Sequence, residues 1–402
     1  MVRTTETIPS GVMWLQVGGL AGMQGAITLC WLIYNLYIPQ LLVTIGFPKD
    51  LAIGLLIVEN ALAVIIEPLM GGLSDHAKRW FASRFSFISI GVISSSALFI
   101  LIPVMVSFFQ PSEVMRWIFL FIVVAWSIAM AVFRSPAIAL LGKYARNADL
   151  PLAASLLTLM GGIINAFRPI STDLILSFGA VFAFALGSFV LLAAAFGLRF
   201  VNPPEKPIPE VVELTEKENL PEQLPRALFL LCGAGFGVAW GSRLLMDAIG
   251  KFLKIELNTN DVGGMMFILS LALAFAALPA GAFATKIGNR QAIVWASCTI
   301  SILMLLMLFF GAKLFLLILI ICTFSLILNG AIPLALSLVS SQRAGLATGM
   351  YFAGSGLAGA LVTAIFPQLA NIALLPEIFL SAIAFLAVGI FVTASRTIHQ
   401  ME

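Results

Sequence analysis

Residues 51–79 read LAIGLLIVENALAVIIEPLMGGLSDHAKR, a long apolar run that contains two glutamates and ends in a polar, basic loop. A helix needs about 20 mostly apolar residues to cross the hydrocarbon core of a bilayer. The stretch therefore predicts a membrane-spanning helix with Glu59 and Glu67 inside it. A charged side chain at the bilayer centre costs about 2.5–3.5 kcal/mol on insertion scales, so each glutamate is expected to face a partner or a wet cavity.

The rest of the chain has the same apolar character. Of its 402 residues, 61% are hydrophobic and 10% are charged, and the mean hydropathy is +1.07. Soluble domains have about 45–50% apolar and about 25% charged residues, so this composition indicates a membrane protein. A net charge of +3 is too small to indicate nucleic-acid binding. The cysteines and histidines have no metal-ligand spacing, and we expect neither metal nor cofactor.

Twelve apolar stretches are long enough to span a bilayer. They cover residues 18–45, 51–73, 86–108, 117–141, 152–174, 179–200, 226–249, 262–284, 291–311, 314–339, 346–368 and 372–394. The fold class predicted from them is an all-α membrane protein with two pseudo-symmetric six-helix bundles. We expect the bundles to be residues 1–200 and 226–402. The segment 201–225 has six prolines and six glutamates and is expected to be a flexible linker.

The distribution of basic residues predicts the orientation in the membrane. If both termini are cytoplasmic, 14 of the 22 Lys and Arg residues fall in cytoplasmic loops and 5 in loops on the opposite side. The other three, Arg134, Arg168 and Arg243, lie within predicted helices. Because cytoplasmic loops carry the excess of Lys and Arg, we expect a multi-pass protein of the cell (inner or plasma) membrane with a cytoplasmic linker.

One loop occurs twice, at corresponding places in the two halves. Predicted helix 2 is followed by Gly71-Gly-Leu-Ser-Asp75-His-Ala-Lys78-Arg79, and predicted helix 8 by Gly281-Ala-Phe-Ala-Thr285-Lys286-Ile-Gly288-Asn-Arg290. Internal repetition of this kind is typical of transporters whose two halves rock against each other.

This loop resembles the signature of the major facilitator superfamily, Gly-x-Leu-Ala-Asp-Arg-x-Gly-Arg-Arg. The first copy keeps Gly71, Leu73, Asp75 and basic residues, whereas the second has Thr285 at the aspartate position. The resemblance implies transport by alternating access, with Asp75, Lys78 and Arg79 clamping the cytoplasmic side shut in the outward-open state. Because of Thr285, we expect an asymmetric clamp dominated by the first half.

The first half also resembles the sucrose-transporter-like branch of the glycoside–pentoside–hexuronide:cation symporters. The matching motifs are Tyr34-Asn35-x-Tyr37-x-Pro39, Glu59-Asn60, Pro68-x-x-Gly71-x-x-Ser74-Asp75 and Phe133-Arg134-Ser135-Pro136. This likeness implies a sugar carried together with a proton. The chain departs from the branch at Glu59 and Lys143, where the branch has Asp, and at Leu150 and Ala154, where it has Arg and Asn.

Seven of the charged residues inside predicted helices are candidates for a functional role: Glu59, Glu67, Arg134, Arg168, Asp173, Arg243 and Asp247. The two glutamates are about 12 Å apart along the helix axis and about 80° apart around it, which suits a path for a proton. Burial favours the protonated form of a carboxyl, so either can exchange a proton. Arg134 is expected to bind solute hydroxyls or to pair with a helix 2 glutamate. The structural alternative is a permanent ion pair between helices.

The remaining candidates have weaker signals. Arg168 is deep enough to line a cavity, whereas Asp173 is expected to be solvated. Arg243 and Asp247 are four residues apart, so they can form an external gate or a simple pair along one helix. Asn35 can hydrogen-bond a sugar, and Tyr34 can also pack its ring against one.

The leading hypothesis is a secondary active transporter for proton-coupled symport of a sugar or glycoside by alternating access. Its partners are a small polar solute, a proton (sodium also fits) and the lipid bilayer. One alternative is proton-driven efflux of an amphipathic small molecule, and another is a non-transporting receptor or assembly factor on the same scaffold. The sequence has no phosphate-binding Gly-x-x-x-x-Gly-Lys-(Ser/Thr) loop and no evident nucleophile–base set, so we do not expect an enzyme.

Overall fold

A computed structural model describes residues 11–76, 84–202, 223–367 and 372–395, without the side chains of residues 172–174. Lys78, Arg79 and most of the predicted linker lie outside the described residues, as does the side chain of Asp173. In the described part, twelve helices are long and apolar enough to cross a membrane. They are α1 Trp14–Thr44, α2 Leu51–Asp75, α3 Arg84–Phe108, α4 Glu113–Ile138, α5 Leu150–Ala166, α6 Ala180–Val201, α7 Leu224–Leu257, α8 Gly263–Ile287, α9 Asn289–Phe310, α10 Leu314–Ser337, α11 Ala344–Ile365 and α12 Leu374–Ala394. The predicted all-α fold with twelve spans is confirmed.

The predicted fifth helix, 152–174, is not one continuous helix, although the fifth membrane span, Leu150–Ile170, covers most of it. Helix α5 ends at Ala166, a 3-10 turn follows at Arg168–Ile170, and a short helix covers Ser171–Leu176. Pro169 explains the break, because proline has no backbone N–H and its ring clashes with the preceding turn of an α-helix. Arg168 therefore lies on a tight turn beyond the end of α5.

The predicted seventh helix, 226–249, is too short. Helix α7 continues to Leu257 and is capped by Asn258 in the left-handed conformation, with φ of 49°. The added turns are amphipathic, with Lys251 and Lys254 among them, so hydropathy alone did not include them. As a result, Arg243 and Asp247 lie farther from the end of this helix than predicted.

Each half of the chain buries its own hydrophobic core. In α1–α6 the core centres on Trp126, whose ring stacks on Tyr34 and Phe99 at centroid distances of 4.4 and 5.0 Å. In α7–α12 the core includes Phe324 and Phe385, whose ring centroids are 5.9 Å apart. The first core also includes Leu336 and Ala344 of the second half, so packing continues across the boundary between the halves.

The halves meet along two helix pairs, α2 with α11 and α5 with α8. We call the face at which α1 begins and α12 ends the terminal face. Near this face, a Cβ added to Gly71 would lie 2.1 Å from the Gly345 carbonyl oxygen, and one added to Gly281 would lie 2.7 Å from that of Pro151. Glycine is therefore required for this close approach of backbones, which closes the terminal face.

Candidate functional site

The first buried acid, Glu59, lies on the boundary helix α2 and is bonded to a tyrosine. Its side chain is 3% exposed, and its Oε1 accepts a hydrogen bond from the Tyr34 hydroxyl of α1. Its other oxygen, Oε2, is buried with no hydrogen-bond partner. None of the described basic side chains forms an ion pair with Glu59. Burying an ionised carboxylate without a counter-cation is costly, so this setting favours the neutral acid.

The second buried acid, Glu67, forms an ion pair. Its Oε1 lies 2.6 Å from an Arg134 guanidinium nitrogen, and its Oε2 accepts a hydrogen bond from Ser135 on α4. The Arg134 guanidinium also lies over the Phe352 ring of α11, 4.4 Å from the centroid. Arg134 therefore pairs with Glu67 rather than Glu59, and it connects the two halves of the chain.

Asp75 binds the first turn of α11 from the other half. Its carboxylate accepts hydrogen bonds from the backbone N–H groups of Gly345 at 2.9 Å and Leu346 at 2.8 Å. It also pairs with Arg84 at the start of α3. A helix N-terminus carries unpaired N–H groups and a partial positive charge, both of which favour a carboxylate there. The equivalent Thr285 hydroxyl donates to the Gly281 carbonyl of its own helix.

A second polar contact joins the halves through α5 and α10. The amide nitrogen of Asn329 donates to the Pro151 carbonyl at 2.9 Å, and its amide oxygen accepts from the Thr158 hydroxyl at 3.2 Å. Asn329 is 1% exposed, so water does not compete for these bonds. Together with Asp75, this contact holds the terminal face closed.

Arg168 and Arg243 belong to opposite halves of the chain. Both side chains are exposed. Arg243 donates a hydrogen bond to the Thr363 hydroxyl of α11 at 3.3 Å. The predicted pairing of Arg243 with Asp247 does not form, because Asp247 pairs with Lys251 instead at 2.7 Å.

A charged cluster on α7 and α12 was not predicted from the sequence. The Lys251 Nζ lies 2.7 Å from Asp247 and 2.7 Å from Glu377, whose side chain is 0% exposed. Lys251 also donates to the Ile372 carbonyl at 3.0 Å. Glu377 lies inside the predicted span 372–394, so the sequence already showed this charge within an apolar stretch. The predicted seventh helix ends at residue 249, which places Lys251 in a loop.

Two residues predicted to contact a sugar, Asn35 and Tyr34, bond to other protein groups in this structure. Asn35 is exposed and bonds to the Trp31 carbonyl one turn back in its own helix, at 2.7 Å. Tyr34 is 1% exposed and is held between Glu59 and Trp126. The structure thus brings together Tyr34 with Glu59 and Arg134 with Glu67.

Twelve spanning helices in two halves, with charges buried at the boundary, define the class of the protein. The sequence profile of the Major Facilitator Superfamily matches residues 20–363, and the chain belongs to this superfamily. Its members are membrane transporters of small solutes, so the chain is a multi-pass membrane transporter by family and fold.

Solved structures of other transporters share this fold. A bacterial homologue of the iron transporter ferroportin, in an outward-facing state, has 16% identity and a TM-score of 0.71, over 95% of this chain and 99% of that chain. The E. coli fucose:proton symporter FucP has 12% identity and a TM-score of 0.66, over 94% and 98%. The human organic anion transporter MFSD10 has 18% identity and a TM-score of 0.57, over 94% and 99%. No curated protein matches the chain in sequence.

Proposed function

We propose that the chain is a secondary active transporter that carries a sugar or glycoside together with a proton by alternating access. The observation that carries the proposal is Glu59, a buried acid on a helix at the boundary between the halves, with no counter-cation among the described side chains. Its neighbour Asn60 lies against Gly359 of α11, where an added Cβ would be 2.5 Å from the Asn60 amide oxygen. Glu59 is therefore adjacent in the chain to a residue at the surface that must change during transport.

Coupling requires that protonation favours one arrangement of the halves. A ligand shifts a conformational equilibrium only by its differential affinity for the two states. In the present arrangement the described residues give the Glu59 carboxyl one hydrogen bond and no cation, so the neutral form fits best. Opening of the halves would admit water to α2 and stabilise the ionised form, so proton release accompanies the change of state.

The Glu67–Arg134 pair has a different part in this proposal. Its ion pair is already made, and Arg134 contacts the other half through Phe352. We assign Arg134 to sensing closure of the halves, since its contact with Phe352 breaks when α4 and α11 separate. The terminal face is cytoplasmic in this proposal, as the Lys and Arg distribution predicts. The fucose:proton symporter among the solved structures supports the proposal at the level of fold only.

Reconstituted protein tests the proton coupling. The solute is first chosen as the sugar that most raises the thermal stability of the purified protein at two pH values. In proteoliposomes with an imposed pH gradient, Glu59→Gln should abolish accumulation against a concentration gradient and leave counterflow exchange intact. Glu113→Gln, at the exposed start of α4, is the matched control and should accumulate solute like the wild type. Undiminished uphill uptake by Glu59→Gln would remove Glu59 from the coupling mechanism.

A further inference from the structure

Two carboxyl groups and one lysine meet where α7 packs against the start of α12. The Lys251 ammonium lies 2.7 Å from the Asp247 Oδ2 and donates to the Glu377 Oε2 at 2.7 Å. Two oxygens that each lie 2.7 Å from one nitrogen are at most about 5.4 Å apart, so the two carboxyl groups repel each other when both are ionised. We call Asp247, Lys251 and Glu377 the α7–α12 cluster.

The α7–α12 cluster has more acceptor oxygens than the described donors satisfy. The Glu377 side chain is 0% exposed, and its Oε1 has no hydrogen-bond partner among the described residues. The Asp247 Oδ2 is also buried without a hydrogen-bond donor, although the Lys251 charge lies beside it. Buried polar atoms are normally bonded, so two unsatisfied carboxyl oxygens in one cluster need an explanation. A proton on either carboxyl would turn one of these acceptors into an O–H donor.

The described residues supply no second positive charge to the two carboxyl groups. Among the other helices of the second half, α10 and α11 carry no charged residue, and α8 and α9 carry only Lys286 and Arg290, both at the terminal face. Residues 366–373, which join α11 to α12, are uncharged in sequence. On α7 itself, Arg243 bonds to a hydroxyl of α11 and Lys254 is exposed, and neither forms an ion pair with the cluster.

The charge of the cluster is therefore unbalanced when both acids are ionised. Two carboxylates and one ammonium leave a net charge of −1, and one of the carboxylates is fully buried. Carboxylates that share a buried site do not both ionise readily, since protonation of one removes both the repulsion and the desolvation cost. One proton brings the cluster to zero net charge and leaves one carboxylate for Lys251.

The cluster is open to one side of the membrane. Helix α12 ends at the terminal face, so its first turn, with Glu377, lies at the opposite face. The side chains of Asp247 and Lys251 are 30% and 18% exposed, so a proton can exchange with the solution at that face while Glu377 stays buried. Both helices belong to the second half, whereas Glu59 lies in the first half at the boundary.

We propose that the α7–α12 cluster is a second proton-binding site, in which Asp247 and Glu377 share one proton at neutral pH beside the Lys251 ammonium. The proton belongs to the pair, because two interacting acids titrate as a unit. It leaves when the pH at the face opposite the terminal face rises, and the cluster then carries a net negative charge. The inference does not rest on proton coupling through Glu59, because no residue is shared between the two sites.

Infrared spectroscopy tests the proposal, because the C=O band of a protonated carboxyl is separate from the bands of a carboxylate. Spectra of purified wild-type protein at neutral pH are compared with those of Glu377→Gln and of Asp247→Asn. Each variant leaves a single carboxylate to pair with Lys251, so each should lose the intensity of one protonated carboxyl. The Glu59 carboxyl is present in all three proteins and cancels in the difference. Undiminished intensity in the variants overturns the proposal, and Asp247→Asn, at a partly exposed position, decides the matter if Glu377→Gln does not fold.

A matched control and a change of salt complete the test. Glu256→Gln, also on α7, removes a 31% exposed carboxylate that pairs with Lys313, so it should leave the protonated band unchanged. Loss of the same band in this control would show that the signal does not come from the cluster. In the wild type the band should fade as the pH is raised, equally in sodium and in choline chloride. If sodium removes the band at constant pH, the site holds a sodium ion in place of the proton and the proposal is overturned.

Discussion

Asp75→Asn should open the terminal face. The Asp75 side chain is 2% exposed and accepts two N–H groups from the other half, at 2.9 and 2.8 Å. Asparagine keeps one acceptor oxygen but directs an NH2 group toward the second N–H. One hydrogen bond between the halves is then lost and the other becomes neutral.

The magnitude follows from the bonds that cross between the halves. A hydrogen bond to a charged group contributes about 1.5–3 kcal/mol, which corresponds to a shift of roughly 10- to 150-fold in a conformational equilibrium. The ion pair with Arg84 lies within one half, so its loss lowers overall stability without favouring either arrangement. We therefore expect the fraction of molecules with an open terminal face to rise by one to two orders of magnitude.

Cysteine labelling measures this fraction. Thr348 on α11 is fully buried and donates to the Ser135 carbonyl at 3.2 Å, so a cysteine there reacts with a maleimide only when the halves separate. The assay uses a Thr348→Cys protein that lacks the four native cysteines. When the open and closed states exchange rapidly, adding Asp75→Asn should make the Thr348→Cys thiol react with maleimide about 10- to 100-fold faster.

A matched control lies on the same face. Asp149→Asn breaks an exposed pair with Arg146, in which the side chains are 20% and 49% exposed, and exposed pairs contribute little. Its labelling rate should equal that of the parent protein. If Asp75→Asn also labels at the parent rate, the carboxylate does not hold the terminal face closed and the reasoning is refuted.

Three further perturbations test the packing and the buried charges. Glu67→Gln leaves Arg134 without its anion and should lower the free energy of unfolding by about 3–5 kcal/mol, whereas the double variant with Arg134→Gln should recover part of the loss, read by thermal denaturation. Gly71→Ala places a Cβ 2.1 Å from a carbonyl oxygen of α11 and should cost about 1–3 kcal/mol, while Gly197→Ala meets nothing within 4 Å and should not lower the melting temperature. Lys251→Met removes the cation that pairs with Asp247 and Glu377 and should lower the free energy of unfolding by about 3–5 kcal/mol. An unchanged melting temperature would mean that both carboxyl groups are neutral in the folded protein.

The sequence alone determined the fold class and the existence of a charged boundary. Hydrophobic length is a local property, and a lipid-exposed backbone must satisfy its own hydrogen bonds, so each apolar stretch of about 20 residues reports a helix independently of its neighbours. Local rules also placed Glu59 and Glu67 within α2. These local rules failed at two places where hydropathy does not report the helix. The end of α7 around Lys251 is polar but helical, and the stretch around Pro169 is apolar but interrupts the helix.

Only the tertiary structure decided which charges meet. From the sequence, Arg134 could pair with either glutamate of α2. In the structure, the packing of α4 places Arg134 against Glu67, and Glu59 bonds to Tyr34 instead. Asp75 finds its backbone partners 270 and 271 residues along the chain. Such pairings depend on how each helix is rotated about its axis and how deep it lies in the membrane relative to its neighbours. Neither quantity can be predicted from the residues of a single helix.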